Sequence, residues 1–265
     1  MKFVSINIPT FNSEKTIEKT LKSVKNQTYK NIELIIIDSY SNDKTITIAK
    51  NYGVKVIKCK GKLLESRITG VKASKGEYVL FLDSDQILER TAIKRAVERI
   101  KDYDYLWLYE RSYNKGFLPS LYDADRKLTQ KYLEEDIVSP RFFKRKILLK
   151  AISNIPKKHI SICGAQDQVV TIYELKKISM NMGMIKNAVK HIEPDSLVKL
   201  FKKQYRWGKT TRDFYDRNVY RNLITEKNNF RGFHINNPIL SFESFVLRIF
   251  RGIPYALGFY FGGEK

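Results

Sequence analysis

A chain of 265 residues with 43% hydrophobic content is ordinary for a globular protein and long enough to bury one large α/β core, with or without appendages. Its two cysteines, Cys59 and Cys163, lack metal-type spacing, which excludes a disulfide framework or a zinc site and fits a reducing compartment. The 49 Lys plus Arg against 28 Asp plus Glu leave a formal charge of +21, which favours polyanionic surroundings such as nucleic acid, anionic lipid headgroups or phosphorylated substrates; a solvated Lys-rich surface is the plain alternative.

The N-terminus enters a strand pattern directly, Phe3 to Ile8, without the apolar core and cleavage site of a signal peptide. That strand ends in the turn Pro9-Thr10-Phe11-Asn12, and Ser13 is positioned to cap a helix whose buried stripe is Ile17, Leu21 and Val24. A second unit comes next: Ile32 to Ile37 runs into Asp38, and Ser39-Tyr40-Ser41-Asn42-Asp43 leads to a short helix with Ile46 and Ala49. Val54 to Ile57 reads as a third strand, and Leu64, Ile68 and Val71 mark a helix carrying Arg67. Strands alternating with helices at this spacing imply βαβ crossovers and a mainly parallel sheet, whose ligands sit beyond the carboxyl ends of the strands.

The next strand, Tyr78 to Leu82, is continuously apolar, too short for a typical helix, and ends in Asp83-Ser84-Asp85. Residues two apart on extended chain point the same way, so Asp83 and Asp85 can place oxygens around one divalent cation that also holds a diphosphate. An Asp-Ser-Asp triplet by itself is most often a solvated turn. Here Pro9, Asp38 and Asp83 all fall at strand ends, and three polar turns on one sheet edge are a stronger signal than any one. A helix with Ile93, Val97 and Ile100 and an aromatic strand, Tyr103 to Tyr109, complete this half.

Taken together, Val4 to Asn12, Ser23 to Tyr29, Glu33 to Thr45 and Gly76 to Asp85 resemble, in order and spacing, the inverting glycosyltransferases of family 2. The resemblance covers the first hundred residues closely and extends more loosely to about residue 215. It implies a GT-A (Rossmann-like) α/β fold with a mainly parallel central sheet flanked by helices. It further implies that Pro9, Thr10 and Asn12 line the nucleotide pocket, that Asp38 contacts the base, that Arg67 lies near base or phosphate, and that Asp83 and Asp85 form the donor and metal motif with Mg²⁺ or Mn²⁺.

In the second half, Tyr113 to Asp136 is polar, rich in Tyr and Lys, and reads as an acceptor-side loop or partly ordered excursion. Ile137 to Phe143 and Lys144 to Ile152 read as a strand and a helix. Gly164-Ala165-Gln166-Asp167-Gln168 opens a helix, Val169 to Lys177, where the family commonly has Glu-Asp, the Asp acting as general base. Asp167 is therefore the implied base, with Gln166 in place of the Glu; an ordinary helix cap is the competing role. His191, on the alternating strand before Pro194, is either a hydrogen-bonded structural residue or a metal ligand, as the family implies. Ser196 to Phe214 reads as a helix containing Gln204-Tyr205-Arg206-Trp207, a departure from the processive motif because Lys203 stands three before Arg206. The tail, Ile239 to Phe261, mixes aromatics with Arg248 and Arg251 and is too interrupted to span a bilayer; it suits an in-plane membrane anchor, an acceptor platform, or a helix docked on the domain.

The expected organisation is a nucleotide-sugar-binding half (1–110), an acceptor half of the same domain (111–215) and a C-terminal helical extension (216–265). The expected activity is metal-dependent transfer of a sugar, with inversion, from a nucleotide diphosphate to a hydroxyl of a glycan or lipid-linked acceptor. The expected location is cytoplasmic, in peripheral contact with an anionic membrane. A polyprenyl-phosphate sugar synthase, whose phosphate acceptor needs no base, is the near alternative. A basic nucleic-acid-binding protein is the distant one, since it gives no reason for acids at strand ends.

Overall fold

The computed structural model describes residues 2–132, 140–215, 220 and 236–262. Eight strands form one sheet: β1 (Val4–Thr10), β2 (Ile32–Asp38), β3 (Lys55–Lys58), β4 (Tyr78–Phe81), β5 (Gln86–Leu88), β6 (Tyr105–Ser112), β7 (Phe142–Lys144) and β8 (Met182–His191), in the order β3-β2-β1-β4-β7-β6-β8-β5. The first four strands pair in parallel, as βαβ crossovers require. β7 runs antiparallel between β4 and β6, and β5 runs antiparallel to β8, so the sheet is mixed rather than purely parallel. The cause is local: β5 and β7 have three residues each, too few for the apolar runs that announce a parallel strand. Because β7 inserts between β4 and β6, the two expected halves share one sheet.

Period-two alternation places the core on both faces. Leu80 and Leu82 join Val4, Ile6, Ile8 and Ile36 under α1 (Ile17–Lys25), α2 (Thr45–Asn51) and α4 (Ala92–Arg99). Val79 and Phe81 join Phe143 and Tyr105 under α3 (Leu63–Ala73), α6 (Arg145–Ser153) and α8 (Asp167–Lys176). With roughly 1.5–3 kcal/mol from burying each such side chain, β4 is held firmly enough to fix the position of the acidic turn at its carboxyl end. Ser13 does not cap α1. Its carbonyl closes a turn with Thr16 and Ile17, and its hydroxyl faces Ser84 at 2.9 Å.

The expected loop between residues 113 and 136 is instead largely a helix, α5 (Phe117–Tyr132). Leu118, Leu121, Tyr122 and Leu128 recur at helical spacing and are buried, the first three against Leu200 and Leu247 of two later helices; the surrounding Lys, Arg and Asp residues hide the period. Part of the expected strand from Ile137, together with most of 216–235, lies outside the described residues. A short helix, α7 (Lys157–Ile160), precedes α8.

The last two helices, α9 (Leu197–Tyr215) and α10 (Pro238–Phe261), cross at a pair of glycines. A Cβ on Gly208 would stand 2.0 Å from the carbonyl oxygen of Tyr255, and one on Gly258 would stand 2.0 Å from that of Tyr205. The backbones touch, which only glycine allows. α10 is thus docked on α9 and α5, yet it leaves Ile239, Phe242, Ile249, Ile253 and Tyr260 exposed along its outer side. None of the described helices is long and apolar enough to cross a membrane.

Gly258→Ala is expected to push the helices apart and cost about 1–3 kcal/mol, as overpacking does. That corresponds to a Tm lower by roughly 2–4 °C per kcal/mol for a chain of this size. An unchanged thermal unfolding curve would show that the crossing is looser than described.

Candidate functional site

β1, β2 and β4 end on the same edge, and their terminal residues build the site. Thr10 and Asp38 are register partners, and the Thr10 hydroxyl donates to Asp38 Oδ1 at 2.9 Å. Asp38 also accepts from the Ser41 amide (2.9 Å), the Ser41 hydroxyl (2.6 Å) and Lys58 Nζ (2.7 Å). Burial alone would raise its carboxyl, but Lys58, Ser41 and Thr10 together hold it below the usual range. Asn12 and Tyr40 sit in the left-handed region (φ 49° and 60°), and Asn12 is cross-linked to the second loop through the Ser41 hydroxyl and the Asn42 amide. Pro9 lies inside β1 with Asp38 one position away across the ladder. The two loops thus form one rigid wall, with Phe11 and Tyr40 exposed on it.

Beyond β4, the turn carrying the two acids is pinned rather than free. The Asp83 amide donates to Gln86 Oε1 at 2.9 Å, and the Ser84 carbonyl accepts from the Thr20 hydroxyl at 3.0 Å. Asp83 directs one oxygen to Arg67 Nη2 (2.8 Å) and the other to Arg141 Nη1 (3.0 Å). Burial opposes its ionisation, yet Arg141 and Arg67 keep the carboxyl well below the usual carboxylate range. Arg67 is 2% exposed and stacks over Phe81. Its Nε reaches Asp167 Oδ2 at 2.5 Å, so it ties the Asp83 turn to the first residue of α8.

Gln166 rather than Asp167 holds the N-cap position of α8 and its side chain makes no cap; Asp167 is the first residue of the helix. Its carboxyl is raised by burial, an effect that Arg67 opposes and the nearby Asp83 reinforces. Gln166, standing where the family has Glu, donates to the Thr211 hydroxyl on α9 at 3.2 Å. Arg67, not residue 166, therefore positions Asp167.

Asp85 faces the other way. Its Oδ1 lies 3.5 Å from His191 Nε2 at the end of β8, and its Oδ2 lies 3.9 Å from Lys203 Nζ on α9. Behind these residues runs a buried chain of ion pairs. Arg141 Nε binds Glu110 (2.6 Å), Glu110 faces Arg126 (3.6 Å), Arg126 binds Glu193, and Glu193 lies 3.1 Å from His191 Nδ1. Charges alternate in sign from Asp167 to Lys203, with His191 taking its place in the series when protonated. Burial alone would raise Glu193, but His191 and Arg126 bring it down to about 2.

The structure therefore brings Arg67, Asp83, Asp85, Asp167 and His191 together, with Thr10, Asn12 and Asp38 on the adjoining wall. Arg206 is exposed. Sequence reasoning missed Glu110, Arg126 and Arg141, for which no local pattern exists. Glu193 had a legible signal: it stands two residues after His191 on extended chain and so shares its face. Two surface hollows, of 410 and 370 Å³, meet at Arg95 on the far edge and include none of these groups.

For a divalent cation, Asp85 and His191 offer one oxygen and one nitrogen at a separation too long for a good direct hydrogen bond. No cluster of three or more ligating side chains exists among the described residues, and both Asp83 oxygens face guanidinium groups. The donor set thus fits Mg²⁺ or Mn²⁺ only if a bound diphosphate completes the coordination, the usual arrangement for such ions.

A crossover α/β sheet with a rigid loop wall and carboxylates at its strand ends defines a nucleotide-binding enzyme of the GT-A type. The family model described as "Glycosyl transferase family 2" matches residues 5–155, more than half of the chain, and the chain belongs to that family. It is 44% identical over 112 residues to the poly(ribitol-phosphate) β-N-acetylglucosaminyltransferase TarP of Staphylococcus aureus, covering 39% of this chain and 33% of that protein. It is 37% identical over 119 residues to the UDP-Glc:α-D-GlcNAc-diphosphoundecaprenol β-1,3-glucosyltransferase WfaP of Escherichia coli, covering 43% and 47%. The chain thus matches about a third to a half of these relatives' length. In fold it is similar to S. aureus TarS 1-349 in complex with UDP-GlcNAc (TM-score 0.58, 15% identity, covering 97% of this chain and 90% of that one). It is equally similar to Mycobacterium tuberculosis glucosyl-3-phosphoglycerate synthase in complex with Mn²⁺, UDP and phosphoglyceric acid (TM-score 0.58, 18% identity, covering 82% and 78%).

Arg67→Met should leave Asp167 buried and uncompensated and Asp83 with Arg141 as its remaining counter-charge, at a cost of about 3–5 kcal/mol. Urea unfolding at neutral pH measures it, and a loss below about 1 kcal/mol would mean that the Arg67 bridge is not what holds the two acids.

Proposed function

We propose that this family 2 glycosyltransferase moves a sugar, with inversion, from a UDP-sugar to a hydroxyl of a glycan or lipid-linked acceptor. The observation that carries the reading is the placement of Asp167 and Asp85 at opposite ends of one rigid set of ion pairs, one acid suited to a proton and the other to a cation. The bound UDP and UDP-GlcNAc of the fold neighbours support uridine as the base. The TarP and WfaP names support glycan and lipid-linked acceptors. Pro9, Thr10, Asn12 and Asp38 shape the nucleotide pocket, and residues 111–215 contribute the acceptor side.

Asp85 and His191 would hold Mg²⁺ or Mn²⁺, which would supply positive charge against the diphosphate. Arg67 and Arg141 keep Asp83 ionised and fixed toward the donor. The acceptor oxygen attacks the anomeric carbon from the face opposite the diphosphate, the bond to the diphosphate oxygen breaks, and the hydroxyl proton passes to Asp167. Burial raises the proton affinity of Asp167, and Arg67 keeps it oriented.

Asp167→Asn is expected to lower turnover by about 10²–10⁴-fold with little change in donor affinity. Turnover that survives this substitution would favour a phosphate acceptor, which is already ionised, and would remove the base assignment. In a thermal-shift panel of UDP-sugars, stabilisation should depend on Mn²⁺ in the parent protein and lose that dependence in Asp85→Ala.

The acceptor is held at an anionic, cytoplasm-facing membrane surface. α10 supports this reading through the outward Phe242 (61% exposed) and Ile253 (58% exposed), with exposed Lys202 and Arg206 on the adjoining α9. Phe242→Asp with Ile253→Asp should abolish co-sedimentation with anionic vesicles at low salt while leaving Tm nearly unchanged. If the parent protein does not co-sediment either, this face does not meet lipid.

A further inference from the structure

We propose that Arg251, Lys203 and the Tyr122 hydroxyl form a subsite for a phosphate group that the acceptor carries in addition to its attacking hydroxyl. The inference deepens the sugar-transfer reading above and rests on it. The three residues come from three helices, α10, α9 and α5, that pack on one another. Arg251 stands one helical turn after Leu247, which is buried against Leu118, Leu121 and Tyr122, so it faces α5 rather than the exposed outer side of α10. Its guanidinium lies 5.6 Å from the centre of the Tyr122 ring, as does that of Arg126. Lys203 approaches from α9, with Nζ 3.9 Å from Asp85 Oδ2.

The charges around this ring do not balance. Arg126 is matched by Glu193 and Glu110, and Arg248, the other arginine of α10, by Asp125 at 3.5 Å. Among the described residues Arg251 has no carboxylate within ion-pair distance, and Lys203 has only Asp85, at a length beyond a hydrogen bond. Both rest on aromatic faces instead, Arg251 on Tyr122 and Lys203 with Nζ 5.3 Å from the centre of the Trp207 ring. Stacking occupies the flat face of a guanidinium and leaves its N–H edge, which grips phosphate in pairs of hydrogen bonds, free for a ligand. The Tyr122 hydroxyl likewise has no hydrogen-bond partner among the described residues. Burial pushes that hydroxyl up, and the charge that opposes this most is Arg251, with Lys203 and Arg126 behind it, so all three cations bear on one oxygen. Cations gathered around a buried ring repel one another, and a bound anion removes that cost. Neither α5 nor α10 contributes to the wall of Thr10, Asn12 and Asp38, which assigns the subsite to the acceptor, while Lys203 borders the cation site through Asp85. A phosphate ester is the shared chemistry, whether a lipid or a polyol carries it.

Titration calorimetry on the full chain saturated with UDP and Mg²⁺ tests this, with geranyl phosphate as the lipid form, glycerol 3-phosphate as the polyol form, and geraniol and glycerol as their uncharged counterparts. At least one ester should bind about 10-fold or more tighter than its alcohol, and Arg251→Gln should weaken it by about 10–100-fold while UDP affinity stays parental. Lys50→Gln, an equal charge change at an exposed position of α2, should alter none of these affinities. A preference for geranyl phosphate points to a lipid acceptor and one for glycerol 3-phosphate to a polyol acceptor; either supports the subsite when it is lost with Arg251. If Arg251→Gln does not fold, Tyr122→Phe, which keeps the ring and removes one donor, carries the test: several-fold weaker ester binding supports the proposal and parental binding overturns it. Parental ester binding in Arg251→Gln overturns it, as does a parent protein that takes up neither ester, or an equal loss in Lys50→Gln. A matching loss of UDP affinity in Arg251→Gln would give that residue to the donor and also overturns it. A parent protein that binds no UDP sinks the sugar-transfer reading and the subsite with it, whereas UDP binding with esters indifferent to Arg251 sinks only the subsite.

Discussion

The site depends on an alternation of charge, buried at its centre and continuous when His191 is protonated: Asp167, Arg67, Asp83, Arg141, Glu110, Arg126, Glu193, His191, Asp85 and Lys203. An isolated carboxylate at the depth of Asp167 or Glu193 would lose several kcal/mol of hydration and take up a proton instead. Alternation lets the interior acids stay ionised. It also makes the geometry collective, since every inner member has two partners and cannot rotate without unpairing one of them. The network is a poor means of adding net stability. It is a good means of holding Asp167 and the Asp85–His191 pair at a fixed separation, which is what proximity in a displacement reaction requires.

The sheet topology explains how so many acids and bases meet. Parallel strands bring the carboxyl ends of β1, β2 and β4 to one edge and deliver Asp38 and Asp83. The antiparallel insertion of β7 delivers Arg141 from the opposite chain direction, because the residue before an antiparallel strand lies beside the end of its neighbour. The Phe81 amide indeed donates to the Arg141 carbonyl at 2.8 Å. The departure from a purely parallel sheet thus supplies one of the two counter-charges of the acidic turn, the other being Arg67 on α3.

Legibility in the sequence tracked the range of the interactions. Strands and helices with clean periods, such as β1, β2, α1 and α3, could be read to within a few residues, because each buries a stripe that its own spacing declares. Asp83, Asp85, Asp167 and His191 were readable because turns, strand ends and a family pattern mark them. Arg126 and Arg141 were not. Their role comes from partners remote in sequence, Glu193 for one and Asp83 for the other, and nothing in the neighbouring residues distinguishes them from any surface arginine. α5 was lost for a related reason: its apolar stripe meets two later helices as well as β6, and charged residues crowd the rest of its surface.

α9 joins these levels. Lys203 reaches Asp85, Thr211 receives Gln166 beside Asp167, and Gly208 meets the backbone of α10. One helix therefore touches the outer end of the charge chain, the neighbour of its inner end, and the helix that bears the exposed apolar face. The glycine crossing leaves no compressible side-chain layer between α9 and α10, and packed interiors transmit displacement rather than absorbing it. A force that lifted α10 would act first on α9, which carries Lys203 and the Thr211 hydroxyl that receives Gln166.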